Sequence, residues 1–262
     1  MNRLLLIDGH NLLCRAFFGL PEKLHPIDGK PVHGVIGFMS MTINIIRKTT
    51  PTHILVVFDP EETPARKNNY PDYKSNRIDY SQVPERENPF TQLAGIKKGL
   101  DAIGIKFCEN PGFEADDIIA SYTGLPDFQT VIVSSDSDFF QLVSRQTIVY
   151  HYHSKNPVFY NVETVTQKTG VPPSRYLEYK ALVGDKSDNI GGIRGIGPKT
   201  ALKVLNNEKS LTQEEQVIFQ RNIELIRLND KATLPYELES LVYKNHLNMF
   251  PVGAILRNAE IL

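Results

Sequence analysis

The sequence predicts an α/β protein: a mostly parallel central sheet with helices on both faces, followed by a C-terminal all-α region. Two observations predict it. Short apolar, β-branched runs alternate with helix-length patterns in the first part of the chain, and from about residue 160 the strand signal fades. Strands are expected at Leu4–Ile7, His53–Phe58, Ile105–Cys108, Thr130–Ser134 and Thr147–Tyr150, each a short apolar run of strand-forming composition. Between them, Val35–Arg47, Phe90–Ile103 and Ala115–Tyr122 carry helical patterns. Strands separated by helices pair in parallel, because a parallel neighbour needs a long crossover. Helices are then expected at Val162–Thr169, Ser174–Leu182, Pro198–Leu205 and Thr212–Arg227. The organisation that follows is an α/β core over residues 1–165 and a helical region over residues 166–262. Pro60–Asn88, rich in Pro, Asn, Tyr and charge, is long for a connection inside a compact domain, so a functional loop or lid is expected near residues 60–90.

A chain of 262 residues can bury a good core without disulfides or metals as staples. Its two cysteines, Cys14 and Cys108, sit in apolar segments with no spacing motif, which points to reduced thiols and a cytoplasmic protein. The opening MNRLLLIDGHN has an apolar run of only four residues before an aspartate, too short for a signal peptide or a membrane span, and no membrane partner is expected. The net charge of −1 does not by itself suggest nucleic acid. Setting nine candidate metal ligands aside leaves 29 basic against 21 acidic side chains, a balance of +8 that suits a polyanionic substrate.

Those nine acids follow a pattern that core packing does not produce. Asp8 follows LLLI, Asp59 follows ILVVF, and Asp136 and Asp138 follow VIVSS, so three strands deliver carboxylates to one sheet edge. Glu114, Asp116 and Asp117 open a helix in GFEADDIIA; Glu114 and Asp117, three apart, are expected to share a face. Helix capping accounts for one or two of these three. Asp136 and Asp138 are expected on one side of an extended segment. Asp185 and Asp188 lie in VGDKSDNIGG, where turn chemistry alone also favours them. Carboxylates crowded together resist ionisation unless cations neutralise them. A set of oxygen ligands without His or Cys selects Mg²⁺ or Mn²⁺. Phosphodiester hydrolysis with two ions roughly 3.5–4 Å apart is the chemistry such a site serves best.

IGGIRGIGPKTA, residues 190–201, is the second signal. Gly195 and Gly197 allow close backbone approach, Ile196 separates them, and Pro198 suits a first helical turn. Free N–H groups there, with Lys199 and Thr200, would grip a phosphate without reading bases.

The blocks LLIDGHNLLCRAF, PTHILVVFD, YPDYKSNR, GFEADDIIA, SSDSDFFQLV and ALVGDKSDNIGGIRGIGPKTA, spanning residues 4 to about 205, resemble one family. It is that of the 5′→3′ exonucleases and flap endonucleases, especially the 5′-nuclease domain of bacterial DNA polymerase I in a stand-alone form. The resemblance implies a PIN-like or resolvase-like core and a helix–three-turn–helix DNA-binding motif at about 175–205. It implies that Asp8, Asp59, Glu114, Asp116, Asp117, Asp136, Asp138, Asp185 and Asp188 are metal ligands, with Asp116 and Asp136 central to catalysis. Lys74 and Arg77 would approach the scissile phosphate, Tyr73 would stack on a base beside it, and Arg66 would contact a phosphate. Backbone carbonyls of Leu182, Val183, Gly191, Ile193 and Ile196 would hold a K⁺ ion bridging to DNA. The chain departs from the family pattern at Cys14, where an aromatic residue is usual, and at Ser135, Ser137 and Gly191, where Gly, Lys and Pro are frequent. The segment Ile78–Asn88, expected in the arch or lid, matches poorly.

The function expected is a monomeric, structure-selective 5′ nuclease of replication and repair, cutting DNA with 5′ flaps, 5′ overhangs or nicks. Two other readings compete. An aspartyl-nucleophile phosphatase could use Asp8, although it usually wants an acid two residues on, where this chain has His10. A junction-binding protein without catalysis would not need nine acids.

Overall fold

The computed structural model describes residues 2–20, 31–60, 70–153, 156–244 and 252–258. Arg66 lies outside the described residues. Six strands, β1 (Asn2–Asp8), β2 (His53–Phe58), β3 (Lys106–Glu109), β4 (Phe128–Val133), β5 (Thr147–His151) and β6 (Val158–Tyr160), form one sheet in the order β3-β2-β1-β4-β5-β6. The first five are parallel and β6 runs antiparallel on the β5 edge. All five expected strands are present, within two residues at each end. Strand β6 was not expected: three residues, VFY, are too few to show a period.

The run LLLI of β1 is buried on both faces because each face meets a helical layer. Leu5 and Ile7 join one apolar cluster with Leu12, Phe38 and Ile96, from α1 (Gly9–Gly19), α2 (His33–Thr49) and α3 (Leu93–Ala102). Leu4 and Leu6 join the other with Ile118 of α4 (Ala115–Ser121) and Val165 of α5 (Val162–Thr169). That second cluster runs on into the C-terminal part through Leu182 of α6 (Pro173–Val183) and Ala201 of α7 (Pro198–Leu205), with Ile218 of α8 (Gln213–Ile226) packed against it. A last helix, α9 (Val252–Asn258), returns to the opposite layer, where Ile255 and Leu256 pack with the residues of α2 and α3. Among the described residues of the C-terminal region, helices are joined by a two-residue antiparallel ladder, β7 (Gly184–Asp185) with β8 (Ile190–Gly191), and by an irregular stretch after Ile226 in which Val242 bridges to His53 of β2.

Strand order reverses direction at β1, with the chain winding outward to β2 and β3 on one side and to β4 and β5 on the other. In open parallel sheets a crevice forms at that switch point, beyond the carboxyl ends of the strands. Asp8 ends β1, and Asp59 and Asp136 lie just past β2 and β4, at this crevice. Between Tyr70 and Gln92 the described residues form turns and short 3-10 segments, with no α-helix. The helix expected from Phe90 begins only at Leu93, after a 3-10 turn over Pro89–Gln92.

Candidate active site

Asp8 ends β1 and caps α1: one carboxylate oxygen accepts the Asn11 N–H (3.1 Å) and the other the Ser134 hydroxyl (2.8 Å). Asp59 accepts the Ala115 N–H at the start of α4 (2.8 Å) and faces His10 Nδ1 at 3.3 Å. Asp136 caps a 3-10 turn over Ser137–Leu142 by accepting the Asp138 N–H (2.8 Å). That turn corrects the expectation of an extended DxD. Rotation through the turn sends Asp138 to a different cluster from Asp136.

Asp8, Asp59, Asp116 and Asp136 line one open cavity of about 540 Å³, with Lys74 and Arg77 also on its wall. Burial, then the charge of Asp59, raises the Asp8 carboxyl to about 7. Burial, then the charges of Asp136 and Asp8, likewise raises Asp116 well above the ordinary carboxylate range. Burial also acts to raise Asp59, but the His10 hydrogen bond and charge outweigh it and hold that group at about 2. Two of the four acids therefore resist ionisation by more than the cavity's own cations offset.

A second cluster lies beside it. One oxygen each from Asp138, Asp185 and Asp188 lie within 4.8 Å of one another. Lys180 of α6 donates to both Asp138 and Asp185, while Arg77 donates to Asp188 at 2.7 Å. The other two expected ligands are engaged elsewhere. Glu114 accepts from Lys74 Nζ (2.7 Å) and from the Tyr73 hydroxyl (3.2 Å). Asp117 accepts the Asn229 N–H (2.8 Å), and neither Glu114 nor Asp117 lines the cavity wall. Tyr73 is 4% exposed beneath Lys74, whose ammonium lies 4.8 Å from the ring centre, so in this conformation no ring face is open to a base.

The 70–77 loop is sewn to the turn that holds the second cluster. Lys74, in the left-handed region at φ +55°, donates its N–H to the Asp188 carbonyl (3.0 Å). Asn189 Nδ2 donates to the Asp72 carbonyl (2.9 Å) and Asn76 Nδ2 to that of Lys186 (3.0 Å). Close approach across the β7–β8 ladder requires glycine: a Cβ at Gly192 would sit 2.3 Å from the Val183 carbonyl oxygen.

Beyond the ladder, the hairpin turns at Gly195 (φ +81°) and feeds α7 through Gly197 and Pro198. Side chains added at Gly195 or Gly197 would meet open space, so the hairpin backbone is approachable from outside. Ile193 and Ile196 anchor it in the core, while Lys199 is exposed and Thr200 half-buried. Asn222 of α8 is fully buried and donates to the carbonyls of Ala181 and Gly191, clamping α6 and the hairpin to α8. Of the carbonyls expected around K⁺, those of Leu182, Gly191 and Ile193 accept protein hydrogen bonds, from Ile193 N–H, Asn222 and Ile196 N–H. The residues that sequence reasoning missed are Lys180, His10, Ser134 and Asn222. None stands in a spacing pattern, and each is identified only by what the fold brings to it.

The molecule is thus a doubly wound α/β protein with carboxylates at its switch point, joined to a helical region bearing a glycine hairpin. Comparison with known proteins agrees. Residues 3–170 match the profile of the 5′-3′ exonuclease N-terminal resolvase-like domain, and residues 171–249 match that of the 5′-3′ exonuclease C-terminal SAM fold. The chain belongs to the 5′-3′ exonuclease family. It is 36% identical over 249 residues to the 5′-3′ exonuclease of Aquifex aeolicus, covering 92% of this chain and 82% of that one. DNA polymerase I of Rhizobium leguminosarum is 35% identical over 269 residues, covering 92% of this chain but only 26% of the polymerase, so the chain spans about a quarter of that relative. Among solved structures, the bacteriophage T5 D15 flap endonuclease in a pseudo-enzyme-product complex with DNA and metal ions superposes with a TM-score of 0.70, over 99% of both chains. At 19% identity that likeness establishes the shared fold.

Proposed function

We propose that the protein is a structure-selective 5′ nuclease, hydrolysing phosphodiester bonds at 5′ flaps and 5′ ends of DNA during replication and repair. The observation that carries this reading is the cavity at the switch point, where four carboxylates and two basic side chains meet. The residues fit hard divalent ions. All donors are oxygens, and the crowding that raises Asp8 and Asp116 is relieved by a cation. On this reading Asp8, Asp59, Asp116 and Asp136 hold one Mg²⁺ or Mn²⁺, and Asp138, Asp185 and Asp188 hold a second, with Glu114 at the margin. Bound ions would supply water activation and stabilisation of the leaving oxygen.

The chain's own part is substrate positioning. Lys74 and Arg77, at the cavity wall and tied to Glu114 and Asp188, present positive charge where a scissile phosphate would enter. The backbone N–H groups of Gly195, Gly197 and Lys199 would grip the duplex backbone further along, since Pro198 has no N–H and that of Ile196 is donated to the Ile193 carbonyl. A K⁺ ion at the hairpin would share carbonyl oxygens that already close the turn. The two free thiols, Cys14 and Cys108, support a reducing, cytoplasmic setting. No helix among the described residues is long and apolar enough to cross a membrane. The phosphatase reading has no support here, since the residue two past Asp8, His10, is bonded to Asp59.

A 5′-labelled flap incubated with and without Mg²⁺ tests the proposal: release of the labelled flap with Mg²⁺ alone is expected, and an intact flap in both lanes would overturn it. Lys199→Ala should weaken duplex binding equally across sequences and lower the slope of log K against log salt by about one. Loss confined to one DNA sequence would contradict a backbone grip.

A further inference from the structure

The second acidic cluster already contains a cation supplied by the chain. Lys180, in the last turn of α6, is only 6% exposed and donates to Asp138 and Asp185 together. Burial acts to lower its pKa, but the two carboxylates outweigh burial and raise it, so the ammonium is charged at any working pH. Asp188 has its own partner in Arg77 at 2.7 Å, with Lys74 at 4.0 Å. The wall of the neighbouring cavity is different. Its lysine and arginine, Lys74 and Arg77, are bonded to Glu114 and Asp188, and its histidine, His10, to Asp59, none of them to Asp8, Asp116 or Asp136.

Three oxygens within 4.8 Å of one another surround space for one cation. An ammonium and a divalent ion a few ångströms apart repel strongly in a buried setting, where screening is weak. Lysine can resolve the conflict without moving the helix, because its charge rides on a flexible four-carbon stem. We propose that Lys180 is the resident cation of the Asp138–Asp185–Asp188 cluster, and that a divalent ion enters this cluster only by displacing its ammonium. Lys180 thereby sets the affinity of the second ion site, while the first site, with no lysine between its acids, fills independently. This rests on the two-ion reading above.

Calorimetric titration of the whole protein with Mg²⁺ and Mn²⁺, without DNA, tests it. Wild type should show two classes of site, one clearly weaker. Lys180→Met keeps the stem and removes the charge, and should tighten the weak site by about tenfold or more, the scale of one charge-assisted hydrogen bond. Lys180→Arg keeps the charge and should leave that site weak. Because Lys180→Met strips a buried ion pair and weakens the metal-free fold, a measurement on wild type stands beside it. An amine-acylating reagent read by mass spectrometry should spare Lys180 without ions and modify it under saturating Ca²⁺. Two ions counted in both proteins, with the weak site unchanged or weakened in Lys180→Met, would overturn the role of Lys180 and leave the two-ion reading standing. Lys180 equally protected with and without ions would also overturn that role. A single ion in wild type and in Lys180→Met would instead overturn the two-ion reading, and this inference with it.

Discussion

Asp116→Asn is expected to reduce Mg²⁺-dependent flap cleavage by about 10²-fold or more while raising the melting temperature of the metal-free protein. The opposite signs come from one cause. Asp116 sits in the cavity with Asp8 and Asp136, and burial together with their charges pushes its carboxyl far up, so ionising it costs the metal-free fold stability. Asparagine keeps the shape and removes the charge. The repulsion falls, and so does the attraction for a divalent ion. An acid placed there only to cap α4 would behave differently, because the amide would weaken the helix start and leave cleavage nearly intact. Calorimetry in EDTA and a flap assay in Mg²⁺, run on the same preparation, check both signs. Undiminished cleavage by folded Asp116→Asn would sink the nuclease assignment.

A second large effect is expected from pH in the absence of metal. Asp8 is raised from an ordinary 3.8 to about 7, chiefly by burial and then by Asp59, and Asp116 is raised as well. A folded state that binds a proton more tightly than the unfolded chain is favoured at low pH. These two groups therefore contribute stability that is fully present below about 4 and is lost as pH rises toward 7. Asp59, lowered to about 2, works in the other direction but only below its ordinary value of 3.8, so it does not offset the loss in this window. The EDTA-treated protein should melt roughly 5 °C lower at pH 7.5 than at pH 5, on the scale of a few kcal/mol for a chain of this size. Mg²⁺ should close most of that gap at pH 7.5 and do little at pH 5, because protons and the ion compete for the same oxygens. A melting temperature that rises with pH in EDTA would contradict the crowded-carboxylate account.

Much of this architecture was legible in the residues, for definite reasons. The bounds of His53–Phe58 and Val162–Thr169 are legible because the first is a short apolar run ended by Asp59 and Pro60, and the second lies between a capping Asn161 and Gly170. Helix α1 was not read, although Asp8 as cap and Leu12, Leu13, Ala16 and Phe17 on the buried side make it recognisable afterwards. Asp8 serves both as the end of β1 and as the cap of α1, so no separate start signal marks the helix. The site divides in the same way. Strand-end position was enough to gather Asp8, Asp59 and Asp136, since the termini of parallel strands are fixed by topology. Spacing alone misled at Asp138, where a 3-10 turn decides direction. Lys180 could not be read at all: it neighbours Asp138 only because α6 packs beside the 3-10 turn, 42 residues away in sequence.

The stitching of the 70–77 loop to the 186–189 turn has a consequence for measurement. Through it, the segment bearing Lys74 and Arg77 and the ladder leading to the Gly195–Gly197 hairpin are fastened to each other by three backbone-directed hydrogen bonds. Grip and blade are thereby set like the jaws of a calliper at a fixed opening. On the proposed function, the place of incision is counted in phosphates from the held duplex, and a gauge of that kind has no need to read a base.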